Sequence, residues 1–117
     1  MVIERGDVFW ADLADPAGSE PGYDRPVVVV QGNPFNRSKI STVVVVVMTR
    51  NPARARNPGN VVLAAKTTGL DDDSIANVSQ IVTIDKGALR GERVGRLSDR
   101  HLGLVLSGID VVLGRGP

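Results

Sequence analysis

Arg25 and Thr49 each stand at one end of an apolar, β-branched run. Arg25-Pro26 leads into Val27-Val28-Val29-Val30, and the run from Val43 to Met48 ends at Thr49-Arg50. Pro26 biases its predecessor toward an extended backbone, which makes Arg25 the last loop residue before a buried strand. Before it, Gly18-Ser19-Glu20-Pro21-Gly22 holds too many helix breakers to be anything but a loop of defined shape. If the two strands lie near each other, a planar five-donor cation meets a hydroxyl at one rim of a sheet, a pairing suited to clamping a phosphodiester. A plainer reading is equally open, in which Arg25 salt-bridges Asp24 or Glu20.

The remaining chemistry is sparse. The absence of cysteine excludes disulfides, thiolate catalysis and cysteine-ligated zinc. The lone histidine, His101, reads as a surface or packing residue, and Asp71-Asp72-Asp73 beside Gly69 and Ser74 reads as a solvated turn rather than a metal site. No P-loop, dinucleotide fingerprint, nucleophile elbow or two-histidine metal helix is present. Arginines, hydroxyls, amides and carboxylates are left. That set suits a reaction whose nucleophile already belongs to the substrate. Cleavage of RNA by its own 2′-hydroxyl is such a reaction, needing position, charge stabilisation at phosphorus and the management of two protons.

Charge along the chain points the same way. Residues 25–66 hold Arg25, Arg37, Lys39, Arg50, Arg54, Arg56 and Lys66 with no acid, whereas residues 1–24 set six acids against Arg5. An acid-free middle third is a candidate anion-binding face on a protein whose net charge is only +1. Solvated loop ends dispersed by folding are the alternative.

The elements that must carry these residues read as follows. The first strand is Gly6 to Leu13, half-buried by the alternation of Val8 and Trp10 with Asp7 and Phe9. A long loop follows from Ala14 to Asp24. The second strand, Pro26 to Gln31, is so continuously apolar that both its faces should be covered. Asn33-Pro34 starts one helical turn, and the third strand runs from Ile40 to Thr49. Arg50 to Pro58 is a loop, Asn60 to Ala64 a short fourth strand, and Thr67 to Asp73 a turn through Gly69. The fifth strand begins at Ala76 or Asn77 and ends at Ile84, and Arg93 to Leu97 is the last strand. Ser98 then caps a helix whose Leu102, Val105, Leu106, Ile109, Val112 and Leu113 recur at helical spacing, ending at Gly114. Gly103 and Gly108 within it either permit close packing or are merely tolerated. The whole, residues 1–117, is one mainly β, mostly antiparallel domain closed by a C-terminal helix. No apolar run is long enough to span a bilayer and no signal peptide opens the chain, which fits a cytoplasmic protein.

The succession Arg5-Gly6-Asp7-Val8-Phe9-Trp10-Ala11-Asp12-Leu13, Gly18-Ser19-Glu20 and Arg25-Pro26-Val27-Val28-Val29-Val30-Gln31 resembles the MazF/Kid/PemK family of toxin endoribonucleases. The likeness continues through Asn36-Arg37, Thr42 to Thr49, Gly69-Leu70, Asp73-Ser74 and Gln80 to Lys86, almost the whole chain in one order. The resemblance implies a small SH3-like β barrel of the MazF/CcdB toxin type, a homodimer, and sequence-specific cleavage of single-stranded RNA without metal or other cofactor. Such cleavage leaves a 2′,3′-cyclic phosphate and a 5′-hydroxyl, inhibits translation and growth, and is held in check by an acidic MazE-like antitoxin. The family's catalytic arginine and threonine fall on Arg25 and Thr49. RNA-binding positions fall on Ser19, Glu20, Asn36, Arg50, Arg54, Arg56, Ser74 and Gln80.

There are departures. Pro21 replaces a glutamine common in the family, Val82 replaces a basic residue, and Asn77 and Ser79 stand where some members carry an arginine and an aspartate. The acid–base scheme of those members therefore does not transfer. Two other classes share the expected fold. A gyrase-poisoning toxin of the CcdB type acts through a C-terminal tryptophan, whereas the only tryptophan here is Trp10; in a non-catalytic binding module Arg25 would be structural.

Overall fold

The computed structural model describes residues 2–13 and 23–116. Among these, six strands form one sheet: β1 (Asp7–Leu13), β2 (Tyr23–Val29), β3 (Thr42–Thr49), β4 (Val61–Leu63), β5 (Ser74–Asp85) and β6 (Leu89–Arg96). Their order across the sheet is β4-β5-β3-β2-β1-β6, and the neighbours pair antiparallel. Two short helices, α1 (Asn33–Arg37) and α2 (Ala65–Thr68), lie in the connections, and α3 (Asp99–Val112) follows the last strand.

Continuous valines in β2 and β3 are explained by apolar cover on both faces. Val28, Val46 and Met48 join Val8 beneath α3, whose Val105 is buried and whose Leu102, Leu106 and Ile109 pack against them. Val27, Val29, Val43, Val45 and Val47 face the other way, into a second cluster with Phe9, Ala11, Leu13 and Leu89. Each fully buried valine contributes about 1.5–3 kcal/mol relative to exposure, enough for this strand pair to fix the sheet. Apolar cover on both faces also corrects the reading of β1 as simply half-buried. Val8 and Phe9, on opposite faces, are both buried, while Trp10 stays partly exposed. Even Asp7 is fully buried. Its carboxylate accepts hydrogen bonds from the Glu4 amide at 2.9 Å and from Arg96 Nε at 2.7 Å. That hydrogen bond, more than charge attraction, raises the pKa of Arg96.

Several boundaries differ from the sequence expectation for identifiable reasons. β2 starts at Tyr23, so Arg25 lies inside the strand, paired with Ala11 of β1, rather than at the end of a loop. The expected turn after residue 64 contains α2, closed by Gly69 in the left-handed conformation. β5 begins at Ser74 and β6 at Leu89, both earlier than expected. Among the described residues β6 pairs with β1 alone and is mostly exposed, so its sequence carries no apolar alternation to read. In α1, Gly32 rather than Asn33 is the N-cap residue.

A register jump bends β5. Ile81 pairs with Val46 and Ala76 with Met48, leaving residues 77–80 opposite Val47 alone. Asn60 secures this bulge: its Oδ1 accepts from the Val78 amide at 2.9 Å, and its Nδ2 donates to Asn77 Oδ1 and to the Arg54 carbonyl. One side chain thereby ties β5 to the turn Pro52–Arg56.

The two glycines of α3 separate cleanly. A Cβ on Gly108 would lie 2.1 Å from the Gly59 carbonyl oxygen, whereas one on Gly103 would meet nothing within 4 Å. Gly108 lets the helix touch the chain entering β4; Gly103 is only tolerated. Gly108→Ala should therefore lower stability by about 1–3 kcal/mol through overpacking, and Gly103→Ala should raise it by about 0.5–1 kcal/mol. Chemical denaturation of the two variants checks the opposite signs.

Candidate functional site

The β2–β3 ladder runs Val29↔Val45, Val28↔Val46 and Val27↔Val47, then stops. The next β2 residue is Pro26, which has no N–H to donate to a ladder. Beyond it β2 pairs, among the described residues, with β1 alone, and the β2–β3 ladder is not continued. Extending the register two residues sets Arg25 across from Thr49, with Ala11 of β1 and Ile75 of β5 completing the same row. Arg25 and Thr49 together line a cleft of about 290 Å³ beyond the end of this ladder. Trp10, Pro26, Met48 and Leu70 give it apolar walls, and Arg50, Asp71, Asp72 and Ser74 line its far side.

Arg25 is exposed. The alternative partner Asp24 is engaged elsewhere, in an ion pair with Arg90, and among the described residues no carboxylate pairs with Arg25. Thr49 is partly buried, and its Oγ1 accepts a hydrogen bond from the Asn51 amide at 3.1 Å. That bond uses an acceptor position and leaves the hydroxyl proton to donate into the cleft. Asn51 in turn caps the turn Pro52–Arg56, its Oδ1 accepting from the Ala53 amide at 3.0 Å.

The acidic triplet is exposed, as a solvated turn should be, but its members have distinct surroundings. Asp73 accepts from the Ala65 amide at 2.8 Å, at the start of α2. Asp72 pairs with Arg50 at 3.0 Å, and Asp71 lines the cleft. Both members of the Arg50–Asp72 pair are mostly exposed, so the pair is weak and readily exchanged. Among the described residues no three His, Asp or Glu side chains converge to hold a metal ion.

Of the sequence-derived RNA-binding positions, Arg50 and Ser74 join Arg25 and Thr49 in the cleft. Ser74 is buried, its hydroxyl directed to the Asp72 carbonyl at 3.4 Å. Arg54 and Arg56 are exposed on the turn Pro52–Arg56, outside the cleft lining. Gln80 sits in the β5 bulge, also outside it. Asn36 lies beyond the opposite end of β2, buried in a network with Gln31 and Asn33, where it holds α1 in place. Ser19 and Glu20, with the departure Pro21, lie outside the described residues. Sequence reasoning missed Trp10, Met48, Leu70 and Asp71 as cleft residues. Only the acidic triplet gave a signal, and it points to charge rather than to place. His101 keeps to the surface of α3, its Nδ1 2.8 Å from Ser98 Oγ.

Known proteins share both sequence and fold. Endoribonuclease MazF2 of Mycobacterium bovis is 50% identical over 97 residues, covering 83% of this chain and 84% of that one. Endoribonuclease EndoA of Bacillus subtilis is 36% identical over 113 residues, covering 97% and 96%. The crystal structure of MazF from Deinococcus radiodurans superposes with a TM-score of 0.80 at 20% identity, covering 97% of this chain and 98% of that one. A mycobacterial endoribonuclease in complex with its cognate antitoxin does so with a TM-score of 0.75 at 24% identity, covering 96% and 95%. Those two likenesses are of fold. Residues 4–113 match the family described as the PemK-like, MazF-like toxin of type II toxin–antitoxin systems, and the chain belongs to that family.

Proposed function

We propose that this chain is an endoribonuclease toxin that cuts single-stranded RNA at specific sequences, with Arg25 and Thr49 as its catalytic residues. The observation that carries the site assignment is their placement across from each other in one open cleft, Arg25 without a carboxylate partner among the described residues and Thr49 with a proton to donate. The relatives named endoribonuclease support the reaction.

In this reading the ribose 2′-oxygen attacks the adjacent phosphorus, the 5′-oxygen leaves, and a 2′,3′-cyclic phosphate forms. Arg25 supplies a bidentate fork to the non-bridging oxygens, whose charge grows in the phosphorane, and Thr49 donates to one of them. A guanidinium stays protonated, so Arg25 acts by stabilising charge and not as a base. Arg50 adds a further cation once phosphate displaces Asp72. No step calls for a metal ion. The apolar wall formed by Trp10, Pro26, Met48 and Leu70 lowers the local dielectric beside the phosphate and strengthens these interactions.

The solved relative with its cognate antitoxin suggests how such an activity is held off. An acidic segment that orders on binding would neutralise Arg50, Arg54 and Arg56 and occupy the RNA groove. The reading is completed by a homodimer acting in the cytoplasm, where its RNA is. Among the described residues, no helix is long and apolar enough to cross a membrane.

Arg25→Ala and Thr49→Ala should each lower cleavage roughly 100-fold or more, with circular dichroism unchanged. Arg25→Lys should rescue little, since an ammonium lacks the fork. Near-normal cutting by Arg25→Ala would remove the assignment. Cleavage of a labelled RNA should persist in EDTA; loss of cutting with rescue by Mg²⁺ would show a metal requirement. Replacing Arg54 and Arg56 together with alanine should slow antitoxin association and flatten the salt dependence of RNA binding, by about 0.7 in slope for each phosphate no longer neutralised. Saturating antitoxin should abolish RNA binding, and unchanged RNA affinity would separate the two sites.

A further inference from the structure

A second cleft, of about 410 Å³, adjoins the first and is lined by Trp10, Asp24, Arg90 and Gly91. The two clefts share Trp10 and Asp24, so they form one groove that passes over the indole. Trp10 is 42% exposed, although it stands on a strand whose neighbours Phe9 and Ala11 are buried. Keeping the largest side chain of the chain half in water forgoes burial that packing would have rewarded.

Its surroundings are polar. In the strand register Trp10 lies across from Arg90 on one side and from Pro26 on the other, while Asp24 lies across from Asp12. Trp10, Pro26, Asp24 and Arg90 therefore share one face of the sheet. The Arg90 guanidinium reaches over β1 to pair with Asp24 Oδ2. That hydrogen bond, ahead of charge attraction, raises the pKa of Arg90. Asp24 Oδ1 has no partner among the described residues and is left to accept. Trp10 and its cross-strand partner Pro26 line the same cleft as Arg25, so the indole stands beside the position that would hold the phosphate.

Building on the endoribonuclease reading, we propose that Trp10 is the stacking platform for a nucleobase flanking the scissile phosphate, with the Arg90-anchored Asp24 carboxylate reading its edge. An exposed indole beside an anion clamp suits an unpaired base, since aromatic faces bind single strands by stacking. A carboxylate that accepts only, with one oxygen already occupied, selects a base that presents N–H donors, such as the amino group of cytosine or the Watson–Crick edge of guanine. Trp10 is thus a residue of affinity and base choice, and Arg90 a positioning residue acting through Asp24.

Trp10 is the only tryptophan, so its fluorescence reports on this subsite directly. Short single-stranded RNA with 2′-O-methyl groups, which cannot attack, should quench it saturably in the intact protein. An abasic nucleotide at one position beside the cleaved phosphate should abolish that quench, while abasic sites elsewhere should not. Trp10→Ala should raise KM for RNA roughly tenfold with a smaller fall in kcat, and Trp10→Phe should recover most of the loss. Asp24→Asn should change the preferred flanking base. Equal quenching by every abasic oligonucleotide, together with unchanged KM and base preference in Trp10→Ala, overturns the proposal. If Trp10→Ala weakens antitoxin binding but leaves RNA binding intact, the platform serves the protein partner and the stacking role is wrong. The fluorescence arm does not depend on cutting. A protein that cuts no RNA yet shows the position-specific quench would lose the nuclease reading and keep the stack.

Discussion

The site depends on one missing hydrogen-bond donor. β2 and β3 are held together by valines buried on both faces, and such a pair would ordinarily zip to its ends. Pro26 stops it. Without an amide proton at that position, the paired ladder ends at Val27↔Val47. Arg25 and Thr49 are thereby held by a rigid frame yet kept out of it. The same residue that ends the ladder also forms part of the cleft wall, beside Trp10.

A second constraint keeps the far side of the cleft in place. β5 pairs with β3 on both sides of its register jump and with β4 through its first three residues alone, so its two halves must bend relative to each other for the sheet to curl. The extra residues of the bulge supply that bend, and Asn60 satisfies the Val78 amide that the ladder abandons. Because Asn60 also holds the Arg54 carbonyl, the basic turn is tied to the curvature of the sheet. Gly59 and Gly108, packed backbone to backbone, set the depth at which α3 lies on this region.

Much of this is legible in the residues. The valine runs announce two buried strands, Ser98 with its apolar spacing announces the helix, and the ends of the valine runs announce Arg25 and Thr49. What a local pattern misses depends on partners remote in sequence. Asp7 reads as the polar half of an alternation because Arg96, 89 positions away, is invisible to its neighbours in the chain. Trp10 reads as the covered half of a strand, since nothing local says that the sheet stops covering it at the point where the β2–β3 ladder ends. Strand β6 is half-seen because an edge strand exposed to water has no apolar period to display.

That edge has a consequence of its own. An open sheet offers two rows of unmatched backbone groups to any other extended chain, the usual route to aggregation. Among the described residues, β4 and β6 each pair with one neighbour only. β4 is three residues long, too short to template much. β6 is longer, but it carries Arg90, Glu92, Arg93 and Arg96, and Gly91 breaks its backbone with a positive φ of 65°. Strand-to-strand recruitment is thus discouraged at both margins. Encounters between copies are left to side-chain surfaces, which can be selective in a way that bare backbone cannot.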